Sequence, residues 1–427
     1  MKKKVKYPIV SSFQFKKKTI DYLRRFDTFC VLDSNQESKE ETISFLAAFN
    51  QKKELQISSK PLEDLDQFIN QNKDWVFGFL TYDIKNNIEN LSSRNLDYQK
   101  FPLLHFFIPE IIVKVFSSEV EILYDPTYSL LEIKKIFQEI SELEYTHQVP
   151  QSINLTARVN KKKYISTINT IKKHLQFGDI YELNYCQEFY KNNVDLDPYQ
   201  LFVDLNNKSS APFSSFYKIK HHFCLCASPE RFLKKDGHKI ISQPIKGTII
   251  RDNDIALDEK NKNILLNSSK DFSENVMIVD LVRNDLSRIA TQSSVKVDEL
   301  AAIYSYQDVH HLISTISCEI DSKTSIVDVL KASFPMGSMT GAPKIKAMDL
   351  IEKYEDTLRG IYSGSIGYIT PNHDFDFNVV IRSIFYNSKT NYLSFMVGGA
   401  ITIESDPELE YDECFAKAQS IFNVLNG

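Results

Sequence analysis

The stretch 361-IYSGSIGYITPNHDFDFNVVIRSIFYNSKTNYLSFMVGGAITIE-404 decides the fold. It contains three runs rich in β-branched and aromatic residues: Ile361 to Ile369, Asp376 to Asn387 and Tyr392 to Glu404. Each is expected to be a sheet strand. A helical pattern, Glu408 to Leu425, follows them. Upstream, Lys161 to Phe177 carries apolar residues at helical spacing (Tyr164, Ile165, Ile168, Ile171, Leu175) and stops at Gly178. Tyr181 to Tyr190 alternates as a strand, and Phe213 to Ala227 reads as a hairpin. Lys239 to Ile250 reads as a strand interrupted by Pro244 and Gly247. Ser269 to Arg288, Ile326 to Phe334 and Ala342 to Tyr354 are expected helices. Strands and helices thus come in clusters, which predicts a mixed or antiparallel sheet covered by helices, not a doubly wound parallel one.

Residues 1–150 have a looser texture. Phe29 to Leu32, Trp75 to Tyr82, Phe106 to Phe116 and Val120 to Tyr124 read as short strands, and Lys39 to Lys52 as a helix. The polar segment Glu144 to Asn154, with Pro150 in it, is the expected boundary between an N-terminal region, 1–150, and a second region, 151–427.

Composition excludes more than it asserts. The 427 residues are 42% hydrophobic and 25% charged, with a net charge of -5, ordinary for a globular chain large enough to bury a core. That balance gives no sign of nucleic-acid binding. No apolar run reaches the length of a membrane span, and Pro8 and Ser11-Ser12, not an apolar run, follow the basic Met1-Lys2-Lys3-Lys4, so no signal peptide is expected. Six scattered cysteines without a Cys-x-x-Cys pair read as reduced, buried thiols of a cytoplasmic protein. None lies in a Gly-x-Cys-x-Gly elbow, so release of ammonia from glutamine is not expected of this chain.

Several residues could carry chemistry. Lys246 lies in Gln243-Pro244-Ile245-Lys246-Gly247-Thr248. In an apolar setting the ammonium is disfavoured and the pKa falls, which would make the amine a nucleophile; the bland reading is a surface lysine on an edge strand. Asp271 and Glu274 share one face of an expected helix, as do Glu410 and Glu413. Carboxylates from two helices meeting across a cleft would suit Mg2+; the alternative is a solvated acidic face. Thr340 to Ala342 precede a helix, where free backbone N–H groups could hold an anion. Gly398-Gly399 interrupts a strand, as close backbone approach would require. His310 and His311 must point to opposite faces of a strand, so only one can enter a given pocket. Glu230 is either a general acid or a partner of Arg231.

Together these segments resemble the chorismate-utilising enzymes: anthranilate synthase large subunits, aminodeoxychorismate synthase component I, isochorismate synthases and salicylate synthases. The matches run from about Lys161 to Asn426 and include Gly178-Asp179-Ile180-Tyr181, Ser228-Pro229-Glu230-Arg231-Phe232, Pro244-Ile245-Lys246-Gly247-Thr248, Thr340-Gly341-Ala342-Pro343-Lys344, Ile381-Arg382 and Glu410-Tyr411-Asp412-Glu413. The N-terminal part is matched through Leu32-Asp33-Ser34, a segment similar to the one that holds tryptophan in feedback-regulated relatives, and Gly78-Phe79-Leu80-Thr81-Tyr82-Asp83. The resemblance implies an α+β fold of two facing, mostly antiparallel sheets flanked by helices in four layers.

Within that family most members have alanine where this chain has Lys246; lysine resembles the aminodeoxychorismate type, in which the amine adds to C2 of chorismate. Position 182 carries a lysine in water-adding members and often glutamine in the aminodeoxychorismate type, so Glu182 departs from both. The resemblance further implies Glu230 as the acid and His311 near the leaving oxygen. It implies Arg382, Tyr362, Lys417, Thr340 and the N–H groups of Gly398 and Gly399 around the substrate carboxylates. Mg2+ would be held by Glu274 and Glu413, with Asp271 and Glu410 acting through water. Ammonia would come from a glutamine amidotransferase subunit. The competing readings are an anthranilate synthase large subunit and a non-catalytic chorismate- or tryptophan-binding regulator.

Overall fold

The computed structural model describes residues 2–35, 44–146 and 152–426. Every pair of named strands among them is antiparallel. From one end the ladder runs Glu182–Lys191, Tyr392–Ile401, Ser383–Asn387, His222–Ser228, Phe213–Ile219, Thr28–Asp33, Phe45–Glu54 and Leu104–Val115. Val76–Leu80 then pairs with the start of Leu104–Val115 and carries the ladder onward. It continues through Ser365–Ile369, Phe375–Asn378, Arg231–Asp236, Lys239–Gln243, Val309–Glu319 and Lys296–Ser305. The α+β class and the antiparallel pairing are as expected, and the two halves are one hydrogen-bonded ribbon joined through Leu104–Val115.

Side-chain alternation explains the layers. In Thr28–Asp33, Cys30 belongs to one apolar core and its neighbours Phe29 and Val31 to another, as the two-residue period of a strand covered on both faces requires. The core containing Cys30 also holds Ala48, Tyr217 and Cys224 from the first half of the ribbon and Phe77, Leu233, Ile316 and Phe377 from the second. Ile278 and Val282 of the helix Ser269–Ser287 and Leu330 of Ile326–Ser333 join it. The other core packs Phe216 and Phe395 against the helices Ser12–Tyr22, Leu130–Glu142, Lys161–Phe177, Pro198–Ser209 and Pro407–Leu425. Strands from both sides of residue 150 pair directly: Thr28–Asp33 with Phe213–Ile219, and Val76–Leu80 with Ser365–Ile369.

Local signals mostly hold. Lys161–Phe177 is capped by the Asn160 side chain, which accepts from Lys163 N at 2.9 Å, and ends at Gly178 with φ 79°, the left-handed position glycine favours. Three readings need correction. Phe45–Glu54 is a strand, not part of a helix (residues 39–43 of the expected helix lie outside the described residues). Its alanines and lysines favour helix locally, but pairing on both edges and burial of Phe45, Ala47 and Phe49 win. Asp376 to Asn387 is two strands, broken where Arg382 takes φ 51°. Ile361 to Ile369 extends only from Ser365, after a turn at 361–363. Part of the expected boundary, residues 147–151, lies outside the described residues. The six cysteines are buried free thiols, and no helix among the described residues is long and apolar enough to cross a membrane.

Gly78 faces Phe106 across the ladder, and a Cβ there would lie 2.2 Å from the Phe106 ring and 2.4 Å from the His105 carbonyl. Gly78→Ala is expected to cost about 2 kcal/mol through overpacking, read as a lower urea midpoint at unchanged slope. An unchanged midpoint would contradict the close packing of this strand pair.

Candidate active site

The lysine singled out by sequence sits on a bulge. Ile245 pairs with Ile313 and Thr248 with His311, and the register shifts between them, leaving Lys246 and Gly247 outside regular pairing. Gly247 has φ 90°, and a Cβ on it would stand 3.1 Å from Asp271 Cβ and from Leu312 Cδ1. The bulge needs glycine there, and it re-aims the preceding side chain. Lys246 Nζ donates to Glu182 Oε1 at 2.7 Å, with only 10% of the lysine side chain and 1% of the glutamate exposed. Burial opposes the charge on Lys246, but Glu182, then Glu274 and Glu230, outweigh it and hold the amine above its ordinary pKa. The expected depression is therefore reversed. The carboxylates responsible come from other elements, so the apolar neighbours in sequence give no sign of them.

Glu230 acts on this lysine, and His311 pairs with Thr248, two residues beyond it. Glu230 is buried, and burial pushes its carboxyl up to about 7, against the pull of Ser338, Lys246 and Arg382. Ser338 Oγ donates to its Oε1 at 2.7 Å. Near neutrality Glu230 therefore carries a transferable proton for part of the time. His311 Nδ1 is 2.8 Å from Thr248 Oγ1, and its Nε2 is buried without a partner. Burial and then Arg382 push its pKa down to about 3, so the ring is neutral. His310, on the opposite face, is fully engaged: Nε2 lies 2.9 Å from Asp258 Oδ1 and Nδ1 2.8 Å from Ser305 Oγ.

Arg382 supplies positive charge to the same place. Burial lowers its pKa and Glu230 opposes that shift. Its backbone is held in the left-handed region, a strain that clusters at functional sites. Thr340 is placed differently from expectation. Its N–H donates to Gly337 O at 3.2 Å, and Gly341–Ala342 pairs as a short strand with Glu182 and Leu183, so this turn is not a set of free donors before a helix. Tyr362 is buried beside Cys186, whose Sγ lies 3.8 Å from its hydroxyl. Gly398 lies against Cys186, where a Cβ would come within 2.4 Å of Sγ; one on Gly399 would meet Glu410 Oε2 at 3.1 Å. Lys417 Nζ bridges Gly398 O at 3.0 Å and Glu413 Oε1 at 2.7 Å.

The two acidic helices share a field. Lys246 and Lys270 both act on Glu274 and on Glu413, and Lys270 Nζ is 4.0 Å from Glu274 Oε1. Burial raises the pKa of Glu274 and of Glu410, which also accepts from Ser405 Oγ at 2.8 Å. At Glu413 burial is outweighed by Lys417, and the pKa falls. Asp271 accepts from the helix-capping Ser268 hydroxyl. Among the described residues no three His, Cys, Asp or Glu side chains form a ready metal-binding group.

Sequence reading missed the frame behind these groups. Arg359, 1% exposed, pairs with Glu355 through Nε (2.9 Å) and Nη2 (2.6 Å). It also donates to Met339 O at 2.6 Å and Asn184 O at 2.8 Å, while Glu355 Oε1 accepts from Cys186 N at 2.8 Å. The only sequence signal is the four-residue spacing of Glu355 and Arg359, which ordinarily marks a surface pair. Asn275 was likewise missed: it accepts from Ser314 Oγ, which in turn accepts from Ala301 N at 2.8 Å. A separate cavity of about 950 Å³, lined by Asp33, Ser34, Arg231, Arg251 and Tyr306 among others, lies beside the N-terminal strands. Lys246, Glu230, His311 and Arg382 do not line it.

Comparison with known proteins places this arrangement. Residues 20–423 match the family model described as chorismate binding enzyme. The chain is 33% identical over 364 residues to aminodeoxychorismate synthase component 1 of Bacillus subtilis, covering 82% of this chain and 76% of that protein. It is 33% identical over 382 residues to the protein of the same name from Escherichia coli, covering 87% and 82%. An anthranilate synthase component I-like protein of Synechocystis is 32% identical over 83% of this chain and 73% of its own length. In fold, the chain is similar to anthranilate synthase component I from Streptococcus pneumoniae, with a TM-score of 0.79 at 24% identity over 91% of this chain and 93% of that one.

Removing one partner of a buried ion pair leaves the other charge uncompensated. Glu355→Gln is therefore expected to cost about 3–5 kcal/mol, measured by urea denaturation. A midpoint equal to that of the unmodified chain would show that Arg359 does not depend on this carboxylate.

Proposed function

The chain belongs to the chorismate binding enzyme family, and on that premise we propose that it is an aminodeoxychorismate synthase component 1. It would replace the C4 hydroxyl of chorismate with the nitrogen of ammonia, through a covalent bond between Lys246 and the substrate. The product, 4-amino-4-deoxychorismate, leads to p-aminobenzoate and folate. The observation that carries this reading is the bulge-borne Lys246, buried beside Glu230 and within 2.7 Å of Glu182. A lysine serving only as a surface charge has no need of that setting.

The residues take these roles. Arg382, a half-buried guanidinium without a close carboxylate partner among the described residues, donates to one substrate carboxylate with its fork of N–H groups. Lys417 and the backbone at Gly398 and Gly399 serve the other side of the cleft, with Thr340 and Tyr362 shaping it. The neutral amine of Lys246 attacks C2 as the C4–O bond breaks, and Glu230 protonates the departing hydroxyl so that it leaves as water. His311, neutral and with a free Nε2, steadies the leaving oxygen. Ammonia then attacks C4 and the C2–N bond breaks, returning the lysine amine. The ammonium formed at C4 gives a proton back to Glu230.

Mg2+ fits the acidic helices. Glu274 and Glu410 are carboxylates whose ionisation burial suppresses, and Glu413 shares the field of Lys246 and Lys270 with Glu274. Glu274 and Glu413 would hold it, with Asp271 and Glu410 contributing through water, since a hard cation that keeps much of its hydration needs only one or two protein carboxylates. When bound it supplies positive charge for the ring carboxylate. Ammonia is supplied by a separate glutamine amidotransferase component, since the six thiols are buried and none stands in a nucleophile elbow.

Lys246→Ala, given chorismate, Mg2+ and ammonium salt, is expected to form no aminodeoxychorismate by chromatography with and without the lyase that converts it. An unchanged rate and product would overturn the covalent route, and anthranilate as the product of the unmodified chain would assign the other branch. Because Glu230 must be protonated and its pKa is raised to about 7, the rate of Lys246 adduct formation, measured without ammonia, should be full below that pH and fall about tenfold per unit above it. Glu230→Gln should lower the rate about 100-fold or more and erase that limb. Glu274→Gln should abolish Mg2+-dependent turnover; undiminished activity at low Mg2+ would count against the metal assignment.

A further inference from the structure

A nucleophilic lysine that rests as an ammonium cannot attack carbon until its proton leaves, and Glu182 is the group in contact with that proton. We infer that Glu182 is a catalytic base of this chain, taking the proton from Lys246 Nζ as substrate fills the cleft and returning it when the amine is released. The inference rests on the reading of Lys246 as nucleophile and adds to it a residue that sets the nucleophile's charge state.

Three observations support it. Glu182 Oε1 is 2.7 Å from Nζ, at direct proton-transfer distance, and the carboxylate is 1% exposed. Its second oxygen, Oε2, is buried with no hydrogen-bond partner, so this carboxylate is not committed to a structural network as Glu355 is. Backbone pairing also fixes it in place: Glu182 pairs with Ala342, and a Cβ on Gly341 would lie 2.2 Å from the Glu182 carbonyl oxygen. The other charged groups acting on Lys246 are Glu274 from the helix Ser269–Ser287 and Glu230 from the loop before Arg231, and Lys246 in turn acts on Glu413.

The physics favours transfer in a closing site. Two opposite charges held 2.7 Å apart in a medium losing its water are each penalised by desolvation. The neutral pair, carboxylic acid and amine, escapes that penalty. The step balances: Lys–NH3+ and Glu–COO− become Lys–NH2 and Glu–COOH, the lone pair of Nζ forms the bond to C2, and the hydroxyl leaves C4 with the proton of Glu230. After ammonia adds at C4, Nζ departs as a neutral amine and recovers its proton from Glu182.

The test uses the full chain, chorismate and Mg2+ without ammonia, with rapid quenching and mass measurement of the Lys246 peptide. Glu182→Gln keeps the shape and removes the base. The ratio of wild-type to variant adduct rates, in which the Glu230 titration cancels, is expected to be about 100-fold at about pH 6. It should shrink about tenfold per pH unit as the variant's amine loses its proton to solvent. Glu182→Asp, which keeps a carboxylate, should show a ratio independent of pH, and it serves if the glutamine variant does not fold. A ratio near one at low pH, or one that stays constant with pH in Glu182→Gln, overturns the role of Glu182 and leaves the nucleophile standing. Absence of any Lys246 adduct in the unmodified chain removes the nucleophile and this inference together.

Discussion

The guanidinium of Arg359 holds together the backbone from which the cleft is built. It joins Glu355, Asn184 and Met339, three points on separate elements, and Glu355 passes the connection to Cys186. Asn184 and Cys186 lie on the strand that carries Glu182, and Met339 precedes the Thr340–Ala342 turn that pairs with it. Five donors in a rigid fork suit a site where several carbonyl and carboxylate oxygens converge without water. A lysine there could not satisfy them all. The positions of Glu182 and Ser338, and through them of Lys246 and Glu230, depend on this buried hub.

On that frame the chemistry is arranged by charge. One lysine stands among Glu182, Glu274 and Glu230, and a guanidinium stands nearby with no carboxylate in close contact. Glu230 and His311 are shifted in opposite directions relative to their protonated forms. Burial keeps the acid protonated up to about 7 and keeps the imidazole neutral down to about 3. Below about 7 both groups are therefore neutral, one an acid with a proton to give and the other an unprotonated ring, because burial penalises whichever form is charged.

Local rules made much of this legible. Helix limits at Lys161–Phe177, the Pro244–Gly247 interruption and the opposed faces of His310 and His311 all follow from spacing and turn chemistry, and all appear in the fold. What escaped was set by partners distant in the chain. Glu182 and Lys246 are 64 positions apart, so nothing beside either residue reveals that they meet or that the meeting reverses the lysine's shift. Lys39 to Lys52 reads as helix until the two edge partners of Phe45–Glu54 are known. The place of Arg382 between two strands was not legible either: its left-handed backbone splits one expected strand into two.

The strand order carries one more implication. Glu182 lies on a strand near one end of the ribbon, and Lys246 on one that pairs with Val309–Glu319 near the other end, yet the two side chains touch. The cleft is therefore the seam where a single curled sheet meets itself, not a notch cut into a finished surface. Its width is an accumulated quantity, the sum of the twist and coil of every strand between those two. A change in curvature as remote as the Leu104–Val115 corner would alter the reach between amine and acid without touching either.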